Sequence, residues 1–202
     1  MESIHELKFP LLIYGLSGCG KSYLANELLK DTILLRIDTN SLKGIHDSKE
    51  YILDRLKKKN ITLMFESGNK KRGLLIDDIH IFYKYDKSTY KSVLEFIKEG
   101  KYYDSKIIIT CCSTFLKNKK LCKLNLFKYK LWYDRSKYYK LCSEIMKKKK
   151  IKLSENECDK IILNSDYNLN IFCNELELYS KSKIINYELY KRDNYDPIEQ
   201  IT

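Results

Sequence analysis

The sequence predicts an α/β protein: a parallel five-stranded sheet with helices on both faces, followed by a small domain built only of helices. Short apolar runs bounded by turn residues point to the sheet. They are Leu11 to Tyr14, Ile33 to Ile37, Leu74 to Ile76, Ile107 to Thr110 and a fifth around Leu124 to Leu131. Helix-like segments lie between them, at Lys21 to Lys30, Ser48 to Lys58 and Ser88 to Glu99. Strands alternating with helices make a parallel sheet, and strands of near-continuous hydrophobicity suit one covered on both faces. After about Trp132 only helical patterns remain, at Arg135 to Lys149, Ser154 to Leu163 and Leu169 to Lys181. Ser154 with Glu157 three residues on predicts a capping box at the start of the second. The expected domains are therefore residues 1–132, a helical domain at 133–190 and a loose tail at 191–202.

Composition narrows the class. The 202 residues are 44% hydrophobic, enough to fill a core. The net charge of +11 comes mostly from lysine, because the only arginines are Arg36, Arg55, Arg72, Arg135 and Arg192. Such a surplus favours polyanionic partners, but an AT-rich coding bias, seen also in the abundant Ile, Asn and Tyr, produces the same surplus. The small size and this composition suit a large DNA virus or another AT-rich genome. Seven cysteines without a C-x-x-C pair suggest neither a disulfide framework nor a zinc site. Reduced thiols in a soluble intracellular protein, of nucleus, cytoplasm or a viral replication compartment, are the expectation. The apolar run at Phe9 to Tyr14 is too short for a secretory signal, and no stretch is long enough to span a membrane.

The chemistry is carried by three segments. Gly15, Leu16, Ser17, Gly18, Cys19, Gly20, Lys21 and Ser22 satisfy G-x-x-x-x-G-K-[ST] between an expected strand and an expected helix. In such a P-loop the glycines let the backbone wrap a polyphosphate, N–H groups point inward and the helix presents its positive end. Lys21 would neutralise the β and γ phosphates of ATP and Ser22 would ligate Mg²⁺. The apolar strand Gly73 to Ile76 ends in Asp77 and Asp78, a Walker B pattern. Asp77 would belong to the Mg²⁺ shell and Asp78 would serve as the base or water-orienting carboxylate. A further strand ends in Thr110, the candidate for the polar residue that orients the attacking water in ATPases with an extra strand between these two. The one stretch resembling a guanine-reading N-K-x-D, Asn118 to Leu121, lacks the acid, which disfavours a GTPase. The scarcity of arginine disfavours a nucleoside monophosphate kinase.

The order of P-loop, acid-ended strand, hydroxyl-tipped strand and helical lid resembles the AAA+ ATPases over roughly Phe9 to Tyr179. Within that class the second half looks like clamp-loader subunits of the replication factor C type, whose S-x-G-D-[IL]-R-x-x-x-N motif is matched by Ser165, Leu169 and Asn174. The positions of its Gly, Asp and Arg hold Tyr167, Asn168 and Asn170. That arginine, sensor 2, reaches the γ phosphate from the lid; Asn170 would face the nucleotide there without a charge. Residues 116–130 also contain no arginine to complete a neighbour's site, and Lys119, Lys120 or Lys123 could act only as point charges. The resemblance thus implies an ATP-binding subunit with weak hydrolysis, working with other AAA+ subunits on DNA and a sliding clamp. The string Leu74 to Phe82 also resembles the Asp-Asp strand of DnaA-type initiators and DnaC-type helicase loaders, the nearest alternative to the clamp-loader reading. His80, just beyond the acids, reads more simply as a packing residue than as a phosphate sensor. A subunit that binds ATP only to fix its shape is the remaining alternative.

Overall fold

The computed structural model describes residues 8–42, 45, 47–57, 71–100 and 105–182. They fall into two compact units, Met1–Trp132 and Tyr133–Thr202. In the first, five strands form one parallel sheet: β1 (Leu11–Gly15), β2 (Ile33–Ile37), β3 (Arg72–Ile76), β4 (Lys106–Cys112) and β5 (Phe127–Lys130). Their order is β2-β3-β4-β1-β5, so β4 lies between the strand that precedes the glycine motif and the strand that ends in the acids. The helices are α1 (Lys21–Leu29), α2 (Ser48–Lys57), α3 (Ile79–Tyr85), α4 (Lys87–Glu99) and the short α5 (Lys119–Cys122), with a 3-10 turn at Ser113–Lys117.

Strand periodicity fixes what each face carries. Arg36 pairs with Leu75, Leu75 with Ile108, and Ile108 with Leu11. These residues, and those two positions further along each strand, therefore share one face of the sheet, the face toward Gly73, which lies beside Leu29 of α1. The opposite set, Leu12, Leu74, Ile76, Ile107 and Ile109, joins Ile52 and Leu56 of α2 and Val93, Phe96 and Ile97 of α4 in one buried cluster. Asp86 caps α4, accepting from the Thr89 backbone N–H at 2.9 Å and the Thr89 hydroxyl at 2.6 Å.

Burial on both faces holds for the three inner strands β1, β3 and β4 and not for the outer two. Among the described residues β2 and β5 are the sheet's outer strands: β2 alternates between partly buried and exposed residues before Ile37, and β5 is mostly exposed. The fifth strand is also shorter than Leu124 to Leu131, because Leu124 and Leu126 are taken up in the turn that leads into it. α3, beginning directly after the acids, has no counterpart among the expected elements; seven residues are too few for the apolar period to declare itself. β4 runs on to Cys112, so Thr110 sits inside the strand rather than at its tip.

The second unit holds α6 (Arg135–Lys149), α7 (Glu155–Asn164) and α8 (Leu169–Ser182). Its core gathers Tyr138, Cys142, Ile161, Ile162, Phe172, Leu176 and Tyr179. The capping box forms, with Ser154 and Glu157 satisfying each other's backbone N–H. Ser165 Oγ donates to Ile162 O at 2.6 Å, so the buried Tyr138 hydroxyl, 2.7 Å away, must donate to Ser165. Residues Asp193 to Thr202, expected to be loose, lie outside the described residues.

Gly73 is where α1 and the sheet come closest: a Cβ there would overlap the Thr32 hydroxyl and crowd Leu29 at 3.0 Å. Gly73→Ala is therefore expected to lower the stability of the first unit by roughly 1–3 kcal/mol, read by urea unfolding.

Candidate nucleotide site

The glycine motif folds as its sequence requires. β1 ends at Gly15, and the chain turns through Gly18 (φ 72°) and Gly20 (φ 91°) into α1. Both angles lie in the left-handed region that glycine enters without a Cβ clash. Leu16 and Ser17 are exposed, while Cys19 is buried with Sγ 3.8 Å from Leu131 O. Burial pushes the Cys19 thiol up, which keeps it protonated and inert. Lys21 is buried in the loop it follows, its Nζ donating to Leu16 O at 2.7 Å. The same curl that holds the ammonium inside the loop is the arrangement in which it can meet a phosphate cradled there.

Asp77 is the centre of the site and only 6% exposed. Its Oδ1 accepts from Ser22 Oγ at 2.8 Å and from Thr110 Oγ1 at 2.7 Å, and its Oδ2 accepts from Arg36 Nη2 at 2.6 Å. Thr110 is fully buried and also accepts from the Asp78 backbone N–H at 2.8 Å. One hydroxyl thus fixes both acids: its proton goes to the first, and its lone pair holds the backbone of the second. Asp78 adopts φ 50°, ψ 55° as the residue before α3, a left-handed position that Asp tolerates better than most residues. The turn leaves its carboxylate 40% exposed, with Oδ1 3.8 Å from His80 Nδ1.

His80 Nδ1 is buried and has no hydrogen-bond partner, and the ring lies 6.2 Å from that of Phe115. Burial holds its imidazole below the ordinary value of 6.5, outweighing the Asp78 charge that would raise it. Asn118, the start of the false guanine motif, is occupied structurally: its Oδ1 caps α5 and lies 3.2 Å from the Tyr90 hydroxyl. Asn170 belongs to the second unit, exposed in the first turn of α8, where its backbone N–H donates to Asn168 Oδ1 at 3.0 Å.

The sequence-predicted residues Gly15 to Ser22, Asp77, Asp78 and Thr110 thus come together at one end of the parallel strands. Arg36 was not among them. A lone arginine on an apolar strand two residues before a turn gives no motif, and only the pairing of β2 with β3 reveals its target.

The donor set suits a magnesium nucleotide. Among the described residues no cluster of three His, Cys, Asp or Glu side chains could hold a metal. One hydroxyl and one carboxylate are what Mg²⁺ takes from a protein when phosphates and waters complete its octahedron. Ser22 and Asp77 are the residues that would hold it.

Parallel sheet, inserted β4, glycine loop and acid-ended β3 together make the P-loop fold of AAA+ proteins. A family model described as RNA helicase matches residues 11–114, just over half of the 202, and the chain belongs to that family. No curated protein sequence matches it. Among solved structures it is similar to DnaA from Aquifex aeolicus bound to AMPPCP, at 18% identity and a TM-score of 0.61 over 90% of this chain and 57% of that one. It is similar to the replication initiator DnaA bound to AMPPCP and single-stranded DNA, at 16% identity and a TM-score of 0.60 over 86% of this chain and 56% of that one. The Holliday junction branch migration motor RuvB of Thermotoga maritima aligns at 14% identity and a TM-score of 0.54, over 87% of this chain and 57% of that one. The chain therefore spans between 56% and 57% of the length of these three structures.

Two outcomes follow from the site's geometry. Lys21→Ala is expected to weaken ATP binding about ten- to a hundredfold in a fluorescent-nucleotide titration, because a charge-assisted contact to phosphate is lost. His80 favours the neutral form in the folded state, so the stability it lends is present above its ordinary pKa of 6.5 and is lost as pH falls. His80→Gln should accordingly lose less stability than the parent between pH 7.5 and about pH 5 in urea unfolding.

Proposed function

We propose that the chain binds Mg-ATP at the P-loop and couples its hydrolysis to work on a nucleic-acid strand, as an initiator-like or helicase-like module. The observation that supports the ATPase part most is the Thr110 hydroxyl, which donates to Asp77 beside the Ser22 contact and accepts from the Asp78 backbone N–H, with the Asp78 carboxylate left 40% exposed. Lys21 leaves Leu16 O for the β and γ phosphates. Ser22 and Asp77 would hold Mg²⁺, which would offset the negative charge of the phosphates during transfer. Asp78 orients and deprotonates the attacking water, and Thr110 keeps that carboxylate at its angle by gripping the backbone behind it. The second acid is Asp, not Glu, so its shorter arm requires the γ phosphate to approach more closely.

The nucleic-acid part draws on the RNA helicase family, on the initiator and branch-migration structures that share the fold, and on the net charge of +11. These favour a strand-acting module over a clamp loader. The clamp-loader reading keeps one support of its own, the match at Ser165, Leu169 and Asn174, and would require a sliding clamp and DNA as partners. In either case other AAA+ subunits supply what this chain lacks. Without an arginine at residues 116–130, and with Asn170 in place of a lid arginine, hydrolysis by the isolated chain is slow.

Steady-state hydrolysis is to be measured with and without single-stranded RNA, single-stranded DNA, and primed DNA plus a sliding clamp, at two salt concentrations. Stimulation by a single strand that fades as salt rises is the expected result, since phosphate contacts release counterions. Stimulation only by primed DNA with the clamp would move the assignment to clamp loading, and tight ATP binding with no turnover under any condition would make the chain a nucleotide-fixed switch. Asp78→Asn should retain ATP binding while turnover falls at least about a hundredfold.

A further inference from the structure

Arg36 is one of five arginines in the chain, and it stands at the fourth position of edge strand β2 with half of its side chain in solvent. Its guanidinium reaches from β2 to Asp77 at the end of the neighbouring β3, which is almost entirely removed from water. With Arg36 on Oδ2 and two hydroxyl protons on Oδ1, both oxygens of that carboxylate already accept hydrogen bonds. The same carboxylate is the one that, on the reading above, must serve a divalent cation. A fixed positive charge 2.6 Å from Oδ2 both neutralises the ligand and repels the incoming dication.

A second carboxylate is available to Arg36. Asp38 lies two residues on, in the direction in which β2 leaves the sheet, and accepts from the backbone N–H groups of Asn40 and Ser41. Its carboxyl is held below the ordinary range chiefly by the Ser41 N–H, with the Arg36 charge contributing. Asp38 is therefore anionic and within electrostatic reach of the guanidinium.

We propose that Arg36 is a latch that competes with the divalent cation for Asp77: it compensates the buried carboxylate before Mg-nucleotide binds and must transfer toward Asp38 for the metal to enter. This inference rests on the Mg-ATP reading of the site. It makes Arg36 a positioning residue, one that sets how much Mg²⁺ the site requires.

The test is the Mg²⁺ concentration that gives half-maximal binding of a fluorescent ATP analogue to the full chain. Arg36→Gln removes the competing charge and should lower that concentration by about two- to fivefold, the range expected for a partly exposed ion pair. Asp38→Asn keeps the acceptors of its turn but removes the alternative anion, and should shift the midpoint the opposite way. Arg36→Lys, which retains the charge, should stay closer to the parent than Arg36→Gln. If both Arg36→Gln and Asp38→Asn bind the analogue with the parent's Mg²⁺ dependence, the latch is wrong while the nucleotide site stands, even if their thermal stability has fallen. If the parent binds no analogue at any Mg²⁺ concentration and Lys21→Ala behaves identically, the nucleotide reading itself fails and the latch falls with it.

Discussion

A carboxylate placed inside a folded sheet must be given partners, because an unpaired buried charge costs several kcal/mol or more. Asp77 meets that demand with Ser22 from the first turn of α1, Thr110 from the middle of β4 and Arg36 from the edge strand β2. None of these is close to it in sequence. The strand pairings make the convergence possible: Arg36, Leu75 and Ile108 are in register on one face, and Asp77 and Thr110 each follow two residues along. A slip of one residue in either pairing would send Arg36 or Thr110 to the opposite face, into the apolar cluster beneath α2 and α4. The hydrogen bonds of the site thus act also as register marks for β2, β3 and β4.

The inserted position of β4 has a chemical consequence. With β4 between β1 and β3, a hydroxyl on its α1-facing side lies between the phosphate loop and the acids. Thr110 uses that place to bond the Asp77 side chain and the Asp78 backbone together. Its hydroxyl is fully buried, so it bears on the exposed side of the site only through the backbone of Asp78.

The second unit shows how a motif match can have a local physical cause. Ser165 agrees with the clamp-loader pattern, and its hydroxyl links the Tyr138 hydroxyl to Ile162 O inside the helical core. Burial raises the Tyr138 pKa and keeps the phenol a donor, which is what that chain of bonds needs. A serine at this corner therefore joins two helices of the core, α6 and α7, before it speaks to any partner.

The sequence by itself determined the elements whose signal is local. Gly18, Gly20, Lys21 and Ser22 announce a phosphate loop because backbone angles and charge are properties of the residues in that stretch. Asp77 and Asp78 declare themselves by ending an apolar run, and Ser154 with Glu157 marks a helix start through bonds that span three residues. What only the tertiary structure decided is nonlocal: which strands are edges, that Thr110 lies two residues inside β4, and that Arg36 belongs to the site. The apolar runs of β2 and β5 resemble central strands because hydrophobicity reports a tendency to be buried, whereas strand order decides how much cover each receives. Arg36 was illegible for the same reason, since its partner lies 41 residues away and the contact exists only through the lateral pairing of two strands.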